Sequence, residues 1–219
     1  ALPAVATPPS STGTRDVKIN KSTDSAGNFA TLLDLTITGN VGLVAIAPGT
    51  YRDFTVNGSN NGLILGVAGG TTPSVYNFRN LNLNGQIEVK IVGPVVITVA
   101  NSVAFNGQLG KTDHPEWTTL RIASGGLTLN GTSAVYGTVL APNGTVTLNG
   151  LDVIKGGLAS DGLVLNGQAL VELCKDGRVI GGTDDDTDDD HDRCDRDDDD
   201  RGDEDCDRDS SKSKRGDRD

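Results

Sequence analysis

The sequence predicts an all-β fold, a parallel β-helix in which short strands stack in successive coils. Runs such as Leu127-Thr128-Leu129 and Val146-Thr147-Leu148 alternate in polarity, so one side chain points inward and the next outward, as in a strand. Such runs end in Asn-Gly, a pair that tolerates positive φ and allows a sharp turn. The pairs recur at Asn84, Asn106, Asn130, Asn149 and Asn166, in steps of 22, 24, 19 and 17 residues. These steps are about the length of one coil of a parallel β-helix.

The Asn-Gly pairs also allow a second interpretation. Asn-Gly between alternating runs is the usual signal for a hairpin, and a series of hairpins would give an antiparallel meander. The regular period favours the coil, because stacked coils share one core that a single coil cannot form alone. Two earlier Asn-Gly pairs, at Asn57 and Asn61, are assigned to corners of the same kind.

Composition supports many tight turns around a thin aliphatic core. The chain has 29 glycines among 219 residues, and only 4% of its residues are aromatic. We expect no membrane span, because no apolar stretch approaches 18 residues. No signal peptide is visible, and the start Ala1-Leu2-Pro3 suits a chain that has already been processed.

The charge of the chain is concentrated at its C-terminal side. Residues 184–219 hold 19 acidic and 8 basic residues, a net charge of −11 (8 − 19), which equals the net charge of the whole chain. The remaining residues hold 11 acidic (30 − 19) and 11 basic (19 − 8) residues and are therefore neutral. A neutral body with an acidic tail argues against a nucleic-acid partner, which requires a basic face.

These patterns divide the chain into three segments. Residues 1–14, rich in Pro, Ala and Thr, are predicted to form an extended arm. Residues 15–183 form the β-helix domain, and residues 184–219 form an Asp-rich acidic tail. The arm is interpreted either as a loose terminus or as a segment that docks on a neighbouring subunit and covers an open end.

Two stretches resemble known families. Residues 46–51, Ile-Ala-Pro-Gly-Thr-Tyr, resemble the first coil of right-handed parallel β-helix proteins of the pectate-lyase-like kind, which implies a right-handed coil. The run from Gly137 to Gly150, followed by Gly156 to Ser160, resembles a domain of bacterial surface and pilus-associated proteins, including the choice-of-anchor A type. This second resemblance covers about a quarter of the chain and implies an extracellular β-solenoid with an adhesive or structural role and no catalytic residues.

One loop is a candidate ligand contact. Residues 107–119 interrupt the strand rhythm and contain Trp117, the only tryptophan, and His114. A loop that leaves a solenoid wall is a common place for a binding site, here for a carbohydrate or a host surface. The alternative is that Trp117 packs over a coil as a lid.

The sequence does not predict an enzyme. Polysaccharide-cleaving enzymes need clustered carboxylates, or calcium with a basic residue, on one wall. The carboxylates of the body are widely spread, at Asp53, Glu88, Asp113, Glu116, Asp152 and Asp161. The basic side chains could stack across coils, but no spacing between them and the carboxylates indicates a catalytic pair. We therefore interpret these charges as solvating the outer wall; the basic residues are Arg52, Arg79, Lys90 and Arg121.

The acidic tail is a candidate Ca²⁺ site, because Ca²⁺ prefers oxygen ligands and alternate acidic positions supply them. The candidate ligands are Asp195, Asp197, Asp199, Asp203 and Asp205. The stretch resembles thrombospondin type 3 repeats weakly, but Arg201 stands at one ligand position and no Glu follows twelve residues on. The alternative is a solvated or Arg-paired tail.

The three cysteines leave pairing open, because an odd number permits one internal bridge and one remaining thiol. Cys194 and Cys206 are the candidates for a disulfide within the tail, whereas Cys174 follows the last predicted strand of the body. A zinc site is not expected, since the tail offers too few nitrogen and sulfur ligands.

We therefore expect a secreted structural protein that assembles with copies of itself into an extracellular fibre or surface matrix, with Ca²⁺ as a possible cofactor. Open ends of a β-helix invite this, because they present unpaired backbone and core side chains. The alternative is an adhesin at the cell surface that binds carbohydrate or a host surface through Trp117.

Overall fold

A computed structural model describes residues 2–175 and 178–180, and this part of the chain forms a parallel β-helix of about eight turns. The strands from β1 to β13 pair in parallel, and the one antiparallel pair in the described part joins β13 to β14. Parallel pairing confirms the coil and rules out the hairpin meander. The strands are β1 Arg15–Lys21, β2 Leu32–Asn40, β3 Gly42–Ala45, β4 Gly49–Asn57, β5 Asn61–Leu65, β6 Ser74–Ile91, β7 Val95–Val99, β8 Val103–Leu109, β9 Thr118–Ile122, β10 Leu127–Gly131, β11 Ala134–Gly150, β12 Val153–Gly167, β13 Leu170–Lys175 and β14 Arg178–Ile180.

The strands stack into three faces around one core. The first face contains β7, β9 and the middle of β11. The second face contains β8, β10 and the end of β11, and the third contains β3, β5 and the start of β12. Long strands such as β6 and β11 pass from one face to the next, so the middle turns of the chain contribute to all three faces.

The core is a set of columns in which side chains of successive coils stack in register. Leu127 lies beside Val146, and Leu129 beside Leu148. All four are at most 1% exposed. Full burial of one such side chain contributes about 1.5–3 kcal/mol, so the shared column is the main source of stability.

The aromatic residues cluster in the N-terminal half of the core. The ring centroids of Tyr51 and Phe54 lie 4.6 Å apart, and those of Phe54 and Phe78 lie 5.0 Å apart. Tyr51 donates its hydroxyl hydrogen to the Ala47 carbonyl at 2.6 Å, and burial raises its pKa to about 12. The hydroxyl is therefore satisfied in an apolar setting.

The Asn-Gly corners lie where the sequence predicts them, at the end of the second face. The glycines that follow Asn84, Asn106, Asn130, Asn149 and Asn166 all have positive φ. The side chains of adjacent coils bond to each other: Asn149 Nδ2 donates to Asn130 Oδ1 at 3.1 Å, and Asn166 Nδ2 donates to Asn149 Oδ1 at 2.8 Å. The Asn-Gly pair thus has two roles at the corner: the glycine supplies the positive φ, and the asparagine side chain joins a ladder of amide hydrogen bonds between coils.

The Asn61-Gly62 pair has a different role from the predicted corner. Asn61 starts β5 and is buried, and Gly62 does not adopt positive φ. The Asn61 amide accepts a hydrogen bond from Val41 N at 2.8 Å and donates to Gly39 O at 2.7 Å. It bridges two coils from inside, because a buried amide must satisfy both its donors and its acceptor.

The N-terminal end of the stack is covered by its own chain. The loop 22–31 folds over the first coil, and Arg15 donates to the carbonyls of Ala26 at 2.7 Å and Asn28 at 2.8 Å. Ile19 beneath it is 1% exposed. The carboxylate of Asp24 accepts from Lys21 N at 3.0 Å, which satisfies part of the β1 edge.

The arm, residues 2–14, has no regular secondary structure and lies along the wall of its own chain. Thr14 N donates to Thr31 O at 3.0 Å, where the arm joins β1. Further out, Pro8 and Pro9 line a groove with Leu33, Arg52 and Ala100. The arm thus lacks strands and helices, whereas its role as a separate segment and its docking on a neighbouring subunit stay predictions.

Candidate functional site

The C-terminal end of the core is open in the described part of the chain. Leu163 continues the column of Leu127 and Val146, and Leu165 continues the column of Leu129 and Leu148. Leu163 is 47% exposed and Leu165 is 48% exposed, although the side chains beneath them are buried. We call these two leucines and the strand that carries them, residues 157–167 of β12, the open end.

The backbone of the open end is also only half paired. Among the described residues, 157–167 pair with β11 on one side and have no strand on the other. The last two strands, β13 and β14, cover only the third face, where β13 pairs with residues 153–156 of β12. The open end therefore combines an exposed strand edge with exposed core leucines, a combination that favours pairing with another strand.

The residues that follow β14 are chemically unsuited to cover this end. Residues 181–219 contain no Ala, Val, Leu, Ile or Met, and their only aromatic ring is that of His191. Nineteen of them are acidic and eight are basic. A segment of this composition gains little by burying itself against leucines, because its charges would lose their hydration.

The second face presents a regular uncharged surface to solvent. One column of outward side chains consists of Thr36, Thr55, Asn82, Ala104, Thr128, Thr147 and Val164. The Asn ladder of the corners, which includes Asn130 and Asn149, runs beside it. From the second coil onward, hydroxyl and amide groups thus predominate at the coil spacing of ~4.8 Å and neither column holds a charged group, whereas Lys18 lies beside Thr36 in the first coil.

Trp117, the candidate ligand contact, lies at the end of a short 3₁₀ helix, Pro115–Trp117, and is half-buried against the core. The His114 ring stacks on it with centroids 4.0 Å apart and planes 5° apart, and Lys111 Nζ lies 5.1 Å from the ring centre. These neighbours belong to the same loop. The arrangement fits the lid interpretation, and a carbohydrate contact at Trp117 stays a prediction.

The charges of the same loop are paired locally. Lys111 Nζ lies 2.6 Å from Asp113 Oδ2 and lowers the pKa of that carboxyl through this hydrogen bond. His114 Nδ1 lies 2.9 Å from Glu116 Oε1. Asp113 therefore pairs with Lys111 and Glu116 contacts His114 within the loop, and the two carboxylates are not brought together into a pair.

A ladder of ion pairs crosses the wall, and the sequence interpretation missed it. Arg52 Nε donates to Asp34 Oδ1 at 2.8 Å, and Arg79 Nε donates to Asp53 Oδ1 at 2.9 Å. The sequence interpretation found no pair at a defensible spacing among these charges, and the structure supplies two, because the partners of each pair lie one coil apart. The spacings of 18 residues for Asp34 and Arg52 and 26 for Asp53 and Arg79 carry that signal.

A buried carboxylate closes a corner between the second and third faces. Asp152 is 0% exposed and accepts hydrogen bonds from Ser133 N at 2.8 Å and Asn149 N at 2.7 Å. Ser133 is also buried and donates to Asn130 O at 2.7 Å. Asp152 is therefore a structural residue of the corner, not one that solvates the wall.

The described residues contain no group of three His, Cys, Asp or Glu side chains arranged to hold a metal ion. The predicted calcium ligands Asp195, Asp197, Asp199, Asp203 and Asp205, and the disulfide candidates Cys194 and Cys206, all lie outside the described residues. Cys174 lies in β13. The predictions of a calcium site and of a disulfide therefore remain open.

No helix in the described part is long and apolar enough to cross a membrane. Comparisons with models of known families, with curated proteins and with solved structures return no match. The structure shows the β-solenoid architecture that the sequence resemblance implies. Membership of the choice-of-anchor or pilus-associated surface proteins stays an expectation.

Proposed function

We propose that the protein is a secreted structural protein that associates with copies of itself and so builds an extracellular fibre or surface matrix. The observation that supports this most is the open end, where Leu163 and Leu165 are about half exposed at core positions. A solenoid gains stability with every neighbour that covers such a coil. Association of chains supplies that neighbour without any further segment of the protein.

The rest of the molecule suits a building block. The core runs without interruption through the coils, and the ion pairs Arg52–Asp34 and Arg79–Asp53 tie successive coils together on the outside. A stack of this kind is a stiff element with defined ends. Such an element suits a structural role, in which a protein contributes a defined shape and contacts with its neighbours.

Calcium binding by the tail is a further part of this proposal. Alternate carboxylates from Asp195 to Asp205 would supply oxygen ligands and lose their mutual repulsion when the ion binds. Isothermal titration of the full chain with Ca²⁺ tests this directly, with Asp195→Asn, Asp197→Asn and Asp199→Asn combined as the variant. Uptake that the triple variant reduces supports the site, and no uptake by the unaltered chain removes it.

Light scattering coupled to size-exclusion chromatography tests self-association. The proposal predicts that the mass of the eluting species rises with protein concentration and rises further with Ca²⁺. A chelator should reverse the second effect but not abolish the first. Monomers at every concentration, with and without Ca²⁺, would contradict the proposal.

A second candidate function is binding to an ordered polysaccharide, and the uncharged second face favours it. Periodic hydroxyl and amide groups match a surface of repeating sugar hydroxyls better than they match a charged polymer. Co-sedimentation with insoluble cellulose and chitin tests this, using Thr128→Lys combined with Thr147→Lys as the variant. Gln108→Lys, an exposed change on the third face, is the matched control, and Trp117→Ala tests the loop separately.

A further inference from the structure

The two ends of the stack differ in what they offer to another chain. At the open end, Leu165 is 48% exposed; at the N-terminal end, the first coil is covered, and Ile19 and Leu32 are each 1% exposed. The covering loop is held by Arg15, which bonds two of its carbonyls. A head-to-tail contact would thus set exposed leucines against a closed, polar cap.

We infer that two chains pair through their open ends, each covering Leu163 and Leu165 of the other, and this inference rests on the proposed self-association. A two-fold axis makes the contact self-complementary, so the same residues serve on both sides. An axis through the corner between the first and second faces also sets residues 157–167 of the two β12 strands antiparallel, and it requires the two chains to tilt apart on the third face, where β13 and β14 extend beyond β12. Antiparallel edges pair their backbone groups well.

A second copy is the occupant that the chain itself favours. Residues 181–219 lack the apolar side chains needed to cover the leucines. A second open end supplies leucines that cover the exposed leucines of the first and an unpaired strand edge that pairs with its backbone. The contact closes after two chains, and the pair becomes the unit from which a larger assembly is built.

Pairing at this end also brings together the two β14 strands from which the acidic tails continue. Each chain continues from β14 into residues 184–219, with a net charge of −11. Like charges separated by less than a Debye length repel, and that length falls from about 30 Å at 0.01 M to about 3 Å at 1 M ionic strength. Pairing therefore strengthens as salt is raised, which is the opposite of an association driven by opposite charges.

Sedimentation velocity and light scattering on the full chain, at about 0.01 M and about 1 M ionic strength, test the inference. We expect a two-chain species whose dissociation constant falls with salt. Leu163→Glu and Leu165→Glu should each raise that constant at least about tenfold, a factor that corresponds to about 1.4 kcal/mol. Leu43→Glu, an equally apolar and exposed site in β3 near the other end, should leave it unchanged.

Three results separate the inference from the proposed function. Monomers under all conditions contradict both. Assemblies that grow without a two-chain species, or a loss of association in Leu43→Glu but not in Leu165→Glu, contradict the pairing and leave self-association standing. Circular dichroism checks that each variant is folded. Hydrogen exchange of the unaltered chain gives an independent readout, since the amides of residues 157–167 should become protected as the protein concentration rises. Unchanged exchange of these amides would overturn the inference.

Discussion

Leu165 lies directly over Leu148 in one core column, yet Leu165 is 48% exposed and Leu148 is fully buried. The two residues share the same local sequence, Leu-Asn-Gly, and the same strand geometry. They differ only in whether another coil follows on that face. This relationship shows that exposure in a solenoid is set by position in the stack, not by the local motif.

The glycine of an Asn-Gly corner should be intolerant of a side chain. Gly150 has φ of +119°, and an added Cβ would lie 2.6 Å from Gly131 O. Gly150→Ala should therefore lower the free energy of unfolding by at least about 2 kcal/mol, through strain and a clash with the neighbouring coil. Urea unfolding followed by circular dichroism measures the change.

Gly69 provides the matched control for the corner. Its φ is +72°, but a Cβ there meets no atom within 4 Å. Gly69→Ala should cost only about 1–2 kcal/mol, the penalty of the left-handed conformation alone. Equal losses in the two variants would show that close contact between coils does not restrict the corner.

Asp152 should be essential to the corner that it closes. Its replacement by Ala leaves the buried backbone amide of Ser133 and the partly buried one of Asn149 without an acceptor. Each unsatisfied group costs about 1–3 kcal/mol, so Asp152→Ala should destabilise the fold by at least about 2 kcal/mol. Asp161→Ala, at an exposed position, should change stability by less than about 0.5 kcal/mol. Similar unfolding midpoints for the two variants would contradict the structural role.

The Arg52–Asp34 pair should make part of the stability depend on acid pH. The Arg52 guanidinium holds the pKa of the Asp34 carboxyl below its ordinary value of 3.8. Because the pKa is depressed in the folded chain, the contribution is present above pH 3.8 and is lost as the pH falls through the folded pKa. Asp34→Asn should lower stability at neutral pH and flatten the acid limb of the pH profile.

Thermal melts of the unaltered chain and of Asp34→Asn across pH 2–7 measure that dependence. Arg52→Met should flatten the same limb, since it removes the cation that depresses the pKa. Parallel profiles for all three proteins would mean that the pair, although formed, does not couple to folding.

The sequence predicts the coil because its signals are local. Asn130 and Asn149 end alternating strands, and the glycines after them supply the positive φ that the turn needs. Asn61 carries the same dipeptide but lies inside, because its position in the coil, not its neighbour, decides its role. The corner prediction therefore holds wherever the Asn ends a strand of the second face.

The candidate site was less accessible to sequence reasoning. The ion pair of Arg52 and Asp34 depends on register between coils of unequal length, which composition does not reveal. The burial of Asp152 depends on backbone amides that converge only after the chain has coiled. The open end is invisible for the reason that Leu165 and Leu148 illustrate: a core position looks the same in sequence whether or not another coil covers it.

Pairing through the open end is the central claim, and distances between spin labels on partner chains test it most directly. The labels would be placed at Leu151, which is 53% exposed near the open end, or at Leu43, which is 40% exposed near the other end, with the three native cysteines replaced by serine. Leu43 lies in β3, and Leu151 lies just before β12. On the third face, β3 and β12 are five coil steps apart.

At ~4.8 Å per step, open-end pairing predicts that two Leu151 labels lie closer together than two Leu43 labels by up to roughly 50 Å. Dipolar coupling should therefore appear between Leu151 labels of partner chains and be weak between Leu43 labels. Coupling between a Leu151 label on one chain and a Leu43 label on another, with none between two Leu151 labels, would show head-to-tail stacking and contradict the account.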